Sequence, residues 1–322
     1  MFRVTILDDY QETALRLADW GKLHPQAQIT AINTHVADRE TLAGRLHDCD
    51  AVVAMRERTA FPAGLFARLP NLKLLITAGM RNAAIDLDAA VTHGVTVCGT
   101  DMLPYPTAEL TWGLILGFAR NLAREDRAMR EGKWQTTIGT GLKGKTLGLL
   151  GLGKLGSQVA AIGQAFGMDV IAWSRNLDAV RAAAAGARLV DKATLFAEAD
   201  IVSIHLVLGE RTRGLVKAED LARMKQTAFL VNTSRGPIVE ENALIAALAS
   251  QRIAGAAIDV YEEEPLPADH TLRRLPNTLL SPHLGYVTEE NYRLVYGQAV
   301  EAIAAYLAGA PIRILAAPAK PK

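Results

Sequence analysis

The sequence predicts an α/β protein with two doubly wound parallel sheets. Two observations carry this prediction. The 322 residues include 50% hydrophobic residues, which is enough apolar material for the cores of two domains. Short apolar runs also alternate with segments of helical apolar spacing along both halves of the chain, and this alternation is typical of parallel sheets with helices on their faces.

The first alternating series occupies residues 1–100. Its predicted strands are 2–7, 29–33, 51–55, 72–77 and 95–98. Its predicted helices are 13–20, 39–46, 62–69 and 87–92. Because ligands bind in the loops that follow the strands of such sheets, we expect functional residues in the loops 56–59 and 78–82.

A second series follows the prolines of DMLPYPTAEL, and we place a domain boundary there. Its predicted helices are 107–121, 124–131, 155–166, 177–185 and 241–250. Its predicted strands begin at residue 146 and continue with 170–174, 201–205, 229–232, 256–260 and 278–280. The last predicted helix, 289–307, has no core of its own to join, so we expect it to cross back to the first domain. The predicted domains are therefore 1–100 plus 287–322, which is discontinuous, and 101–286. We expect the tail 316–322 to be disordered.

The stretch TLGLLGLGKLG places a glycine-rich turn between a predicted strand and a predicted helix. In the G-x-G-x-x-G spacing, Gly151 allows a tight turn, Gly153 lets the backbone approach a pyrophosphate, and Gly156 lets the helix pack on its strand. Free N–H groups at the helix start favour a phosphate. An ordinary loop explains such a motif in isolation, but the strand and helix around it predict a Rossmann-like dinucleotide-binding domain.

The end of the next predicted strand indicates which dinucleotide is bound. An acidic residue there normally binds the ribose 2′-hydroxyl, whereas an arginine accommodates a 2′-phosphate. This sequence has Ser174 and Arg175 at that point. We therefore expect a preference for NADP(H), with NAD(H) as the alternative if Arg175 is an ordinary exposed loop residue.

Charge and cysteine content exclude several classes of partner. The 35 basic and 34 acidic residues give a net charge of +1, so we expect neither nucleic acid nor a membrane surface as a partner. Cys49 and Cys98 lack the spacing of metal ligands, and we expect no metal and no disulfide framework. The start MFRVTILDDY does not read as a signal peptide, and no apolar stretch is long enough to span a bilayer. We expect a soluble cytoplasmic protein.

Three polar clusters each follow a predicted strand of the second domain: VNTSRGPIV with Arg235, DVYEEEPL with Asp259 and Glu264, and SPHLGYVT with His283. Each alone has a structural explanation, as a turn, a solvated acidic run or a hydrogen-bonded histidine. Together they predict chemistry beside a nicotinamide. Arg235 can hold a carboxylate bidentately. His283 can exchange a proton with a carbonyl oxygen, and Glu264 can orient its imidazole.

The ordered motifs GLGKLG, VNTSRGPIV, DVYEEEP and SPHLGY resemble those of the D-isomer-specific 2-hydroxyacid dehydrogenases over essentially the whole chain. The resemblance implies an NAD(P)-dependent oxidoreductase that interconverts 2-keto acids and (R)-2-hydroxy acids. It implies the catalytic set Arg235, Glu264 and His283, a flavodoxin-like substrate-binding first domain, and a homodimer built through the nucleotide domains, including the helix 107–121. The expected cofactor-binding residues are Gly151, Gly153, Lys154, Leu155, Gly156, Ser174, Arg175, Thr107, Leu206, Thr212, Thr233, Asp259 and Gly285.

Two loops of the first domain bear on the substrate. In the family, the loop that reads AGMRNAAID here binds the substrate carboxylate through backbone N–H groups, which would be those of Met80 and Arg81. Arg81 replaces a usual glycine and is an extra cation for a second acidic group. MRERT resembles a stretch of phosphoglycerate dehydrogenases in which the first arginine, here Arg56, faces the substrate phosphate. A solvated network of Arg56, Glu57 and Arg58 is the alternative. Phosphohydroxypyruvate, hydroxypyruvate and glyoxylate all stay open as substrates.

Two further residues depart from the family pattern: Val207 replaces a usual proline, and Tyr286 follows the His-Leu-Gly sequence. We expect neither to touch the proton path. The alternative function is a catalytically silent, dinucleotide-sensing corepressor-like protein of the same fold.

A third interpretation is a relative of the formate or phosphite dehydrogenases. Formate dehydrogenases pair the histidine with glutamine, whereas this chain has Glu264. Phosphite dehydrogenases use a lysine in the substrate loop, which AGMRNAAID lacks.

Overall fold

The computed structural model describes residues 1–319. The chain forms two compact units, one of Met1–Leu103 together with the chain from Val287 onward, and one of Pro104–Tyr286. The first boundary between the units therefore lies after Leu103, whereas the predicted boundary lies after residue 100. Each unit contains its own sheet and helices.

The N-terminal part of the first unit alternates strands and helices. The strands are β1 (Phe2–Ile6), β2 (Ala27–Ala31), β3 (Ala51–Ala54), β4 (Leu74–Thr77) and β5 (Thr96–Gly99). The helices are α1 (Arg39–Leu46), α2 (Ala63–Phe66) and α3 (Leu87–Thr92). Asp38 caps α1 and Asp86 caps α3, because each carboxylate accepts a hydrogen bond from a backbone N–H of the first helical turn.

The predicted helix 13–20 is wrong. Two short 3₁₀ turns, Ala14–Arg16 and Trp20–Leu23, occupy this stretch. The buried Asp9 carboxylate accepts hydrogen bonds from the N–H groups of Thr13 and Ala14, at 3.0 and 3.1 Å. These bonds fix the chain in a turn at the point where the apolar spacing suggested a longer helix.

The second unit contains seven strands and most of the helices. Its helices are α4 (Pro106–Ala119), α5 (Leu122–Arg130), α6 (Lys154–Ala165), α7 (Ala179–Ala184), α8 (Lys192–Glu198), α9 (Ala218–Arg223) and α10 (Glu241–Ala249). Its strands are β6 (Thr146–Leu150), β7 (Asp169–Trp173), β8 (Arg188–Leu189), β9 (Ile201–Ile204), β10 (Phe229–Asn232), β11 (Gly255–Ile258) and β12 (Thr278–Leu280). The sequence patterns did not predict β8, α8 or α9, which are short.

The chain returns to the first unit after Tyr286, as α11 (Glu289–Leu307) and β13 (Ile314–Ala316). The expectation of a disordered tail is wrong at its start, because β13 pairs antiparallel with β5. Residues 320–322 of that predicted tail lie outside the described residues. No helix within residues 1–319 is long and apolar enough to cross a membrane.

Strand order places the functional loops. The first sheet has the order β13-β5-β4-β3-β1-β2, with all pairs parallel apart from β13 with β5. The second has the order β12-β11-β10-β9-β6-β7-β8 and is wholly parallel. In the second sheet the direction of winding reverses at β6, and ligands of doubly wound sheets bind at the carboxyl ends of the strands at such a point.

The core of the second unit lies on both faces of its sheet. Successive residues of a strand point to opposite faces, and Leu230 belongs to an apolar cluster that includes residues of α8, α9 and α10. Its neighbour Val231 belongs to a second cluster that includes residues of α4 and α6. Every residue of β10 and β11 is buried. The sheet is therefore a rigid platform for the loops at its carboxyl edge.

Candidate active site

The glycine turn after β6 is packed so tightly that two of its positions exclude a side chain. Gly151 has φ +107°, and a β-carbon there would lie 2.5 Å from the carbonyl oxygen of His205. A β-carbon on Gly156 would lie 2.1 Å from the carbonyl oxygen of Gly151. Both distances are far inside van der Waals contact, so these glycines allow the turn and the close packing of α6 on β6.

Gly153 differs from the other two glycines. A β-carbon there would meet no protein atom within 4 Å. Gly153 is the N-cap residue of α6, and the first N–H groups of that 12-residue helix, including those of Lys154 and Leu155, have no partner within the helix. Open space beside unpaired donors at a helix N-terminus fits a pyrophosphate. The residues present therefore fit a dinucleotide.

We expect Gly153→Ala to weaken dinucleotide binding by about tenfold or more without loss of stability, because the added methyl group would fill space that only a ligand needs. The backbone there, with φ −87°, suits alanine. Urea unfolding should show a free energy equal to or about 0.4–1 kcal/mol above that of the parent protein, and calorimetric titration should show the weaker binding. Gly156→Ala is the contrasting variant, expected to lower stability. Unchanged affinity in Gly153→Ala would remove the pyrophosphate from this position.

The end of β7 carries no available carboxylate. Ser174 is half-buried and Arg175 is exposed. Within residues 1–319 the side chain of Arg175 forms no hydrogen bond or ion pair, and neither does that of Lys154 at the start of α6. The nearby Asp178 caps α7 by accepting a hydrogen bond from the N–H of Arg181 at 2.8 Å. Two unpaired cations thus lie in the segments that border the glycine turn and the strand next to it.

The loops after β10, β11 and β12 carry Arg235, Glu264 and His283. These three strands are neighbours in the sheet, and they are parallel, so the three loops share one edge. The sequence pattern predicts only that each of these residues follows a strand. The structure adds the contacts that hold each one.

The Arg235 turn is closed by the side chain of Asn232. Its amide nitrogen donates to the carbonyl oxygen of Arg235 at 3.0 Å, and its amide oxygen accepts from the N–H of Ser234 at 3.0 Å. A β-carbon on Gly236 would lie 2.1 Å from the carbonyl carbon of Tyr261. Glycine at this point therefore lets the Arg235 turn pack directly on the backbone that follows β11. The Arg235 guanidinium donates to the carbonyl oxygen of Ser234 at 2.7 Å.

Glu264 and His283 form a hydrogen-bonded pair. Oε2 of Glu264 lies 2.6 Å from Nδ1 of His283, and Oε1 accepts a hydrogen bond from the N–H of Tyr261 at 2.9 Å. A carboxylate can only accept, so this contact assigns the proton to Nδ1 and leaves Nε2 as the nitrogen that can exchange a proton. His283 has φ +54°, and its N–H donates to the carbonyl oxygen of Asp259 at 2.8 Å.

Asp259 holds the loop that presents His283. It is 0% exposed, and its carboxylate accepts hydrogen bonds from the Ser281 hydroxyl at 2.5 Å and from the N–H groups of Leu284 at 2.7 Å and Gly285 at 3.0 Å. Burial raises the pKa of Asp259, although these donors and the nearby His283 act in the opposite direction. The carbonyl of Gly285 in turn accepts from the hydroxyl of Thr107 at 2.8 Å. Asp259, expected as a cofactor contact, thus has both oxygens engaged by the protein.

The other expected cofactor residues lie in loops that the protein ties together. The carbonyl of Leu206 accepts a hydrogen bond from the Ser234 hydroxyl, which joins the loops after β9 and β10. The Thr233 hydroxyl lies 2.8 Å from that of Thr111 in α4. The hydroxyl of Thr212 donates to a carbonyl within its own loop at 2.7 Å. Their contacts with a cofactor remain predictions.

The sequence patterns missed His205, which directly follows β9. Its Nε2 lies 2.9 Å from the hydroxyl of Ser203, and desolvation by the surrounding side chains lowers its pKa to about 4. A lowered histidine pKa means that the ring is charged only below that pH, so His205 is neutral under ordinary conditions. Its carbonyl oxygen packs against Gly151, and this contact gives His205 a structural role.

The loop after β4 in the first unit presents unpaired backbone donors. Within residues 1–319, the N–H groups of Met80 and Arg81 donate to no acceptor, whereas the N–H of Gly79 donates to the Thr100 hydroxyl at 3.1 Å. The Arg81 side chain is exposed and has no partner among the described residues. Asn82 shapes the loop, since its amide donates to the Thr77 hydroxyl at 2.8 Å. No local sequence signal indicates this role for Asn82.

Arg56 follows β3 and contacts the loop after β4. Its Nη1 donates to the carbonyl oxygen of Ala78 at 3.4 Å, and its Nε lies 3.5 Å from the carboxylate of Glu57. A β-carbon on Gly79 would lie 2.3 Å from Nη1, so glycine makes room for the guanidinium. Arg56, Glu57 and Arg58 are half-buried, which does not match the solvated network we considered.

Arg58 belongs to a separate polar network of the first unit. Its guanidinium donates to the carbonyl oxygen of Asp8 at 2.8 Å and to the hydroxyl of Tyr292 at 3.3 Å. Its guanidinium carbon lies 4.6 Å from the centre of the Tyr10 ring, within the range of a cation–π contact. Arg58 therefore braces the loop that carries Arg56. Within residues 1–319 no group of three His, Cys, Asp or Glu residues is arranged to hold a metal ion.

The fold and this site define a class of protein: a two-unit α/β protein with a dinucleotide-binding glycine turn and an Arg, Glu and His set on adjacent strands. Residues 112–285 match the family model described as "D-isomer specific 2-hydroxyacid dehydrogenase, NAD binding domain". The chain is 38% identical over 280 residues to a glyoxylate reductase of Aeropyrum pernix, and the match covers 84% of this chain and 83% of that protein.

Two further comparisons extend over nearly the whole chain. It is 34% identical over 315 residues to a D-3-phosphoglycerate dehydrogenase of Bacillus subtilis; the match covers 97% of this chain and 58% of that longer protein. The crystal structure of a phosphoglycerate oxidoreductase from Vibrio cholerae O395 superposes with a TM-score of 0.92 at 38% identity, covering 96% of this chain and 100% of that one.

The chain belongs to the D-isomer specific 2-hydroxyacid dehydrogenase family. The resemblance drawn from the four motifs and the predicted fold class are both confirmed. The protein is an oxidoreductase that acts with a nicotinamide dinucleotide, and the comparisons lend no support to the corepressor-like alternative.

Proposed function

We propose that the chain is a cytoplasmic enzyme that reversibly reduces a small 2-keto acid to the (R)-2-hydroxy acid, with Arg235, Glu264 and His283 as its catalytic residues. The observation that carries this proposal is the contact of 2.6 Å between Glu264 and His283, because it leaves one imidazole nitrogen available for proton exchange. The Arg235 turn packs on the same stretch of backbone that donates to Glu264.

Each of the three side chains has a distinct task in this proposal. His283 gives a proton from Nε2 to the substrate oxygen as the carbonyl becomes a hydroxyl, and takes it back in the reverse direction. Glu264 orients the imidazole and favours its charged form. Arg235 binds the substrate carboxylate and polarises the adjacent carbonyl. A bound nicotinamide dinucleotide supplies the hydride.

The first unit supplies the proposed substrate contacts. The unpaired N–H groups of Met80 and Arg81 are suited to a carboxylate, since successive backbone donors form an anion-binding concavity. The unpartnered Arg81 side chain suits a second acidic or polar group on the substrate. Arg56 is the third residue of the proposed substrate-binding set. These features favour glyoxylate, hydroxypyruvate and phosphohydroxypyruvate as substrates to compare.

The test is oxidation of NADH and of NADPH, followed by absorbance, with glyoxylate, hydroxypyruvate, phosphohydroxypyruvate and 2-oxoglutarate. We expect turnover with at least one of these keto acids, and a chiral assay of the product should give the (R) isomer. Tight dinucleotide binding without turnover of any keto acid would instead indicate a binding protein and overturn the proposal.

For the cofactor, we propose a preference for NADP(H), because Arg175 is an exposed cation without a protein partner at the end of β7. Arg175→Asp should lower the ratio of kcat/KM for NADPH to that for NADH by about 10- to 100-fold, the effect of losing one charge-assisted hydrogen bond of about 1.5–3 kcal/mol. Arg223→Asp, on the exposed surface of α9, is the matched control. Equal efficiency with both cofactors in the parent enzyme, or an unchanged ratio in Arg175→Asp, would refute this preference.

For the assembly, we propose a homodimer formed through the second unit. The segment 131–145 is pinned to its own helices: the Glu125 carboxylate accepts from the N–H of Thr136 at 3.1 Å, and the N–H of Thr140 donates to the carbonyl of Ala119 at 2.7 Å. This arm presents Trp134, 75% exposed, and Ile138, 96% exposed, to solvent. Exposed apolar groups on a fixed arm are typical of an interaction site.

A second copy of the chain is the proposed occupant of this surface. The same unit has an open groove of about 470 Å³ whose apolar lining includes Phe118 of α4, Phe229 and Leu279. A two-fold interface uses the same surface of both copies, so an apolar projection of one copy can fill an apolar recess of the other. The exposed arm and the groove of this unit offer such a pair.

Replacing Trp134 and Ile138 together by aspartate should convert a species of twice 34.6 kDa into one of 34.6 kDa, as measured by light scattering after size exclusion. Two charges would have to be buried in the interface, at several kcal/mol each. Val180→Asp is a suitable control, because Val180 is an exposed apolar residue of α7 in the same unit. A parent protein that is monomeric at micromolar concentration would disprove the proposed dimer.

A further inference from the structure

We infer that Tyr286 is a positioning residue for the imidazole of His283. This inference rests on the proposed function, in which His283 is the proton donor. The expectation that Tyr286 does not touch the proton path is wrong. The centres of the Tyr286 and His283 rings lie 5.3 Å apart, and the ring planes meet at 74°.

The contact is an edge-to-face aromatic pair in its preferred range. Such pairs favour ring centres 4.5–7 Å apart with the positive edge of one ring against the negative face of the other. Tyr286 is 7% exposed, so its ring is held by the surrounding protein as well as by His283. A buried, fixed ring against the imidazole restricts rotation of that imidazole.

Glu264 alone does not fix the orientation of His283. The carboxylate holds a single atom, Nδ1, and the imidazole can still tilt about that contact. Tyr286 supplies a second point of contact, on the ring itself. Together with the backbone bond from the N–H of His283 to Asp259, these contacts hold Nε2 in one direction. A misplacement of about 1 Å at such a site can cost about 100-fold in rate.

Tyr286 is itself attached to the loop that Asp259 organises. Its neighbour Gly285 donates its N–H to the Asp259 carboxylate at 3.0 Å and accepts a hydrogen bond from Thr107 at 2.8 Å. The backbone of Tyr286 is therefore fixed relative to that of His283, which also bonds to Asp259. The tyrosine ring and the imidazole thus share one rigid frame.

The test uses the full-length enzyme and the keto acid that gives the highest turnover. Tyr286→Leu keeps an apolar side chain but removes the flat ring, and Tyr286→Phe keeps the ring. For Tyr286→Leu we expect kcat for reduction to fall about tenfold or more, with KM and the dinucleotide dissociation constant within about twofold of the parent values. Tyr286→Phe should restore kcat.

His283→Ala separates failure of this inference from failure of the proposed function. If His283→Ala loses turnover while Tyr286→Leu keeps the parent kcat, the inference is overturned and the proposed function stands. If His283→Ala keeps turnover, the proposed function fails first. A loss in Tyr286→Phe equal to that in Tyr286→Leu would assign the effect to the hydroxyl and also overturn the inference. Should Tyr286→Leu fail to bind dinucleotide, Tyr286→Met serves as the second ring-free variant with the same expected results.

Discussion

His283→Ala is expected to lower kcat by about 10² to 10⁴, the range that general acid–base catalysis contributes, while dinucleotide binding is retained. Nε2 of His283 is the nitrogen left available by the contact of Nδ1 with Glu264. The variant removes that proton donor without touching the glycine turn, where Gly151 and Gly156 shape the dinucleotide site. Steady-state kinetics with the best keto acid give kcat, and calorimetric titration gives the dinucleotide affinity.

The matched control is His47→Ala, which removes an exposed histidine whose ring contacts Asp48. It should leave kcat unchanged. His205 is not an alternative donor in the neutral range, because its pKa is lowered to about 4 and its ring is neutral above that pH. A variant that keeps the parent kcat would refute the proton-donor role.

The parts of this molecule that the sequence predicted well are those fixed by local pattern. The glycine turn is readable because a strand, three spaced glycines and a helix follow one another directly in the chain. Helices with an acidic cap, such as α1 and α3, begin and end at the predicted residues. The positions of Arg235, Glu264 and His283 after strands also follow from local pattern, because parallel strands bring all such loops to one edge.

The features that the sequence did not predict depend on contacts between distant residues. The segment 13–20 has helical apolar spacing, yet the buried Asp9 carboxylate turns it into two short 3₁₀ pieces. β13 exists because β5 offers it an edge for pairing, and no local signal marks that partner. Tertiary contacts thus override propensity in both places.

The same limit applies within the site. The resemblance implies Asp259 as a cofactor-binding residue, but the DVYEEEP motif does not show that its carboxylate is buried under donors from residues 281–285. Sequence spacing likewise does not show that the Tyr286 ring reaches His283. Neither burial nor ring contact is visible in a one-dimensional pattern. The departure of Tyr286 from the family pattern, close to His283 in the chain, is a local signal of this contact.

Arg235→Ala is expected to raise KM for the keto acid by about 100-fold or more, with the dinucleotide affinity unchanged. Loss of a bidentate pair removes two charge-assisted hydrogen bonds to the substrate carboxylate, each of about 1.5–3 kcal/mol. The turn should survive, because Asn232 and Gly236 shape it through backbone contacts. Arg235→Lys keeps the charge but not the planar fork, so its KM should lie between those of the parent and the alanine variant.

The split between KM and kcat decides what Arg235 does. If Arg235→Ala lowers kcat strongly and leaves KM near the parent value, the guanidinium acts on the reacting carbonyl alone and the proposed carboxylate contact is wrong. If KM rises and kcat falls, Arg235 both binds the substrate carboxylate and polarises the carbonyl. A group that binds the carboxylate beside the carbonyl can also stabilise charge that develops on the carbonyl oxygen. Arg223→Ala on the exposed face of α9 controls for loss of a positive charge and should change neither constant.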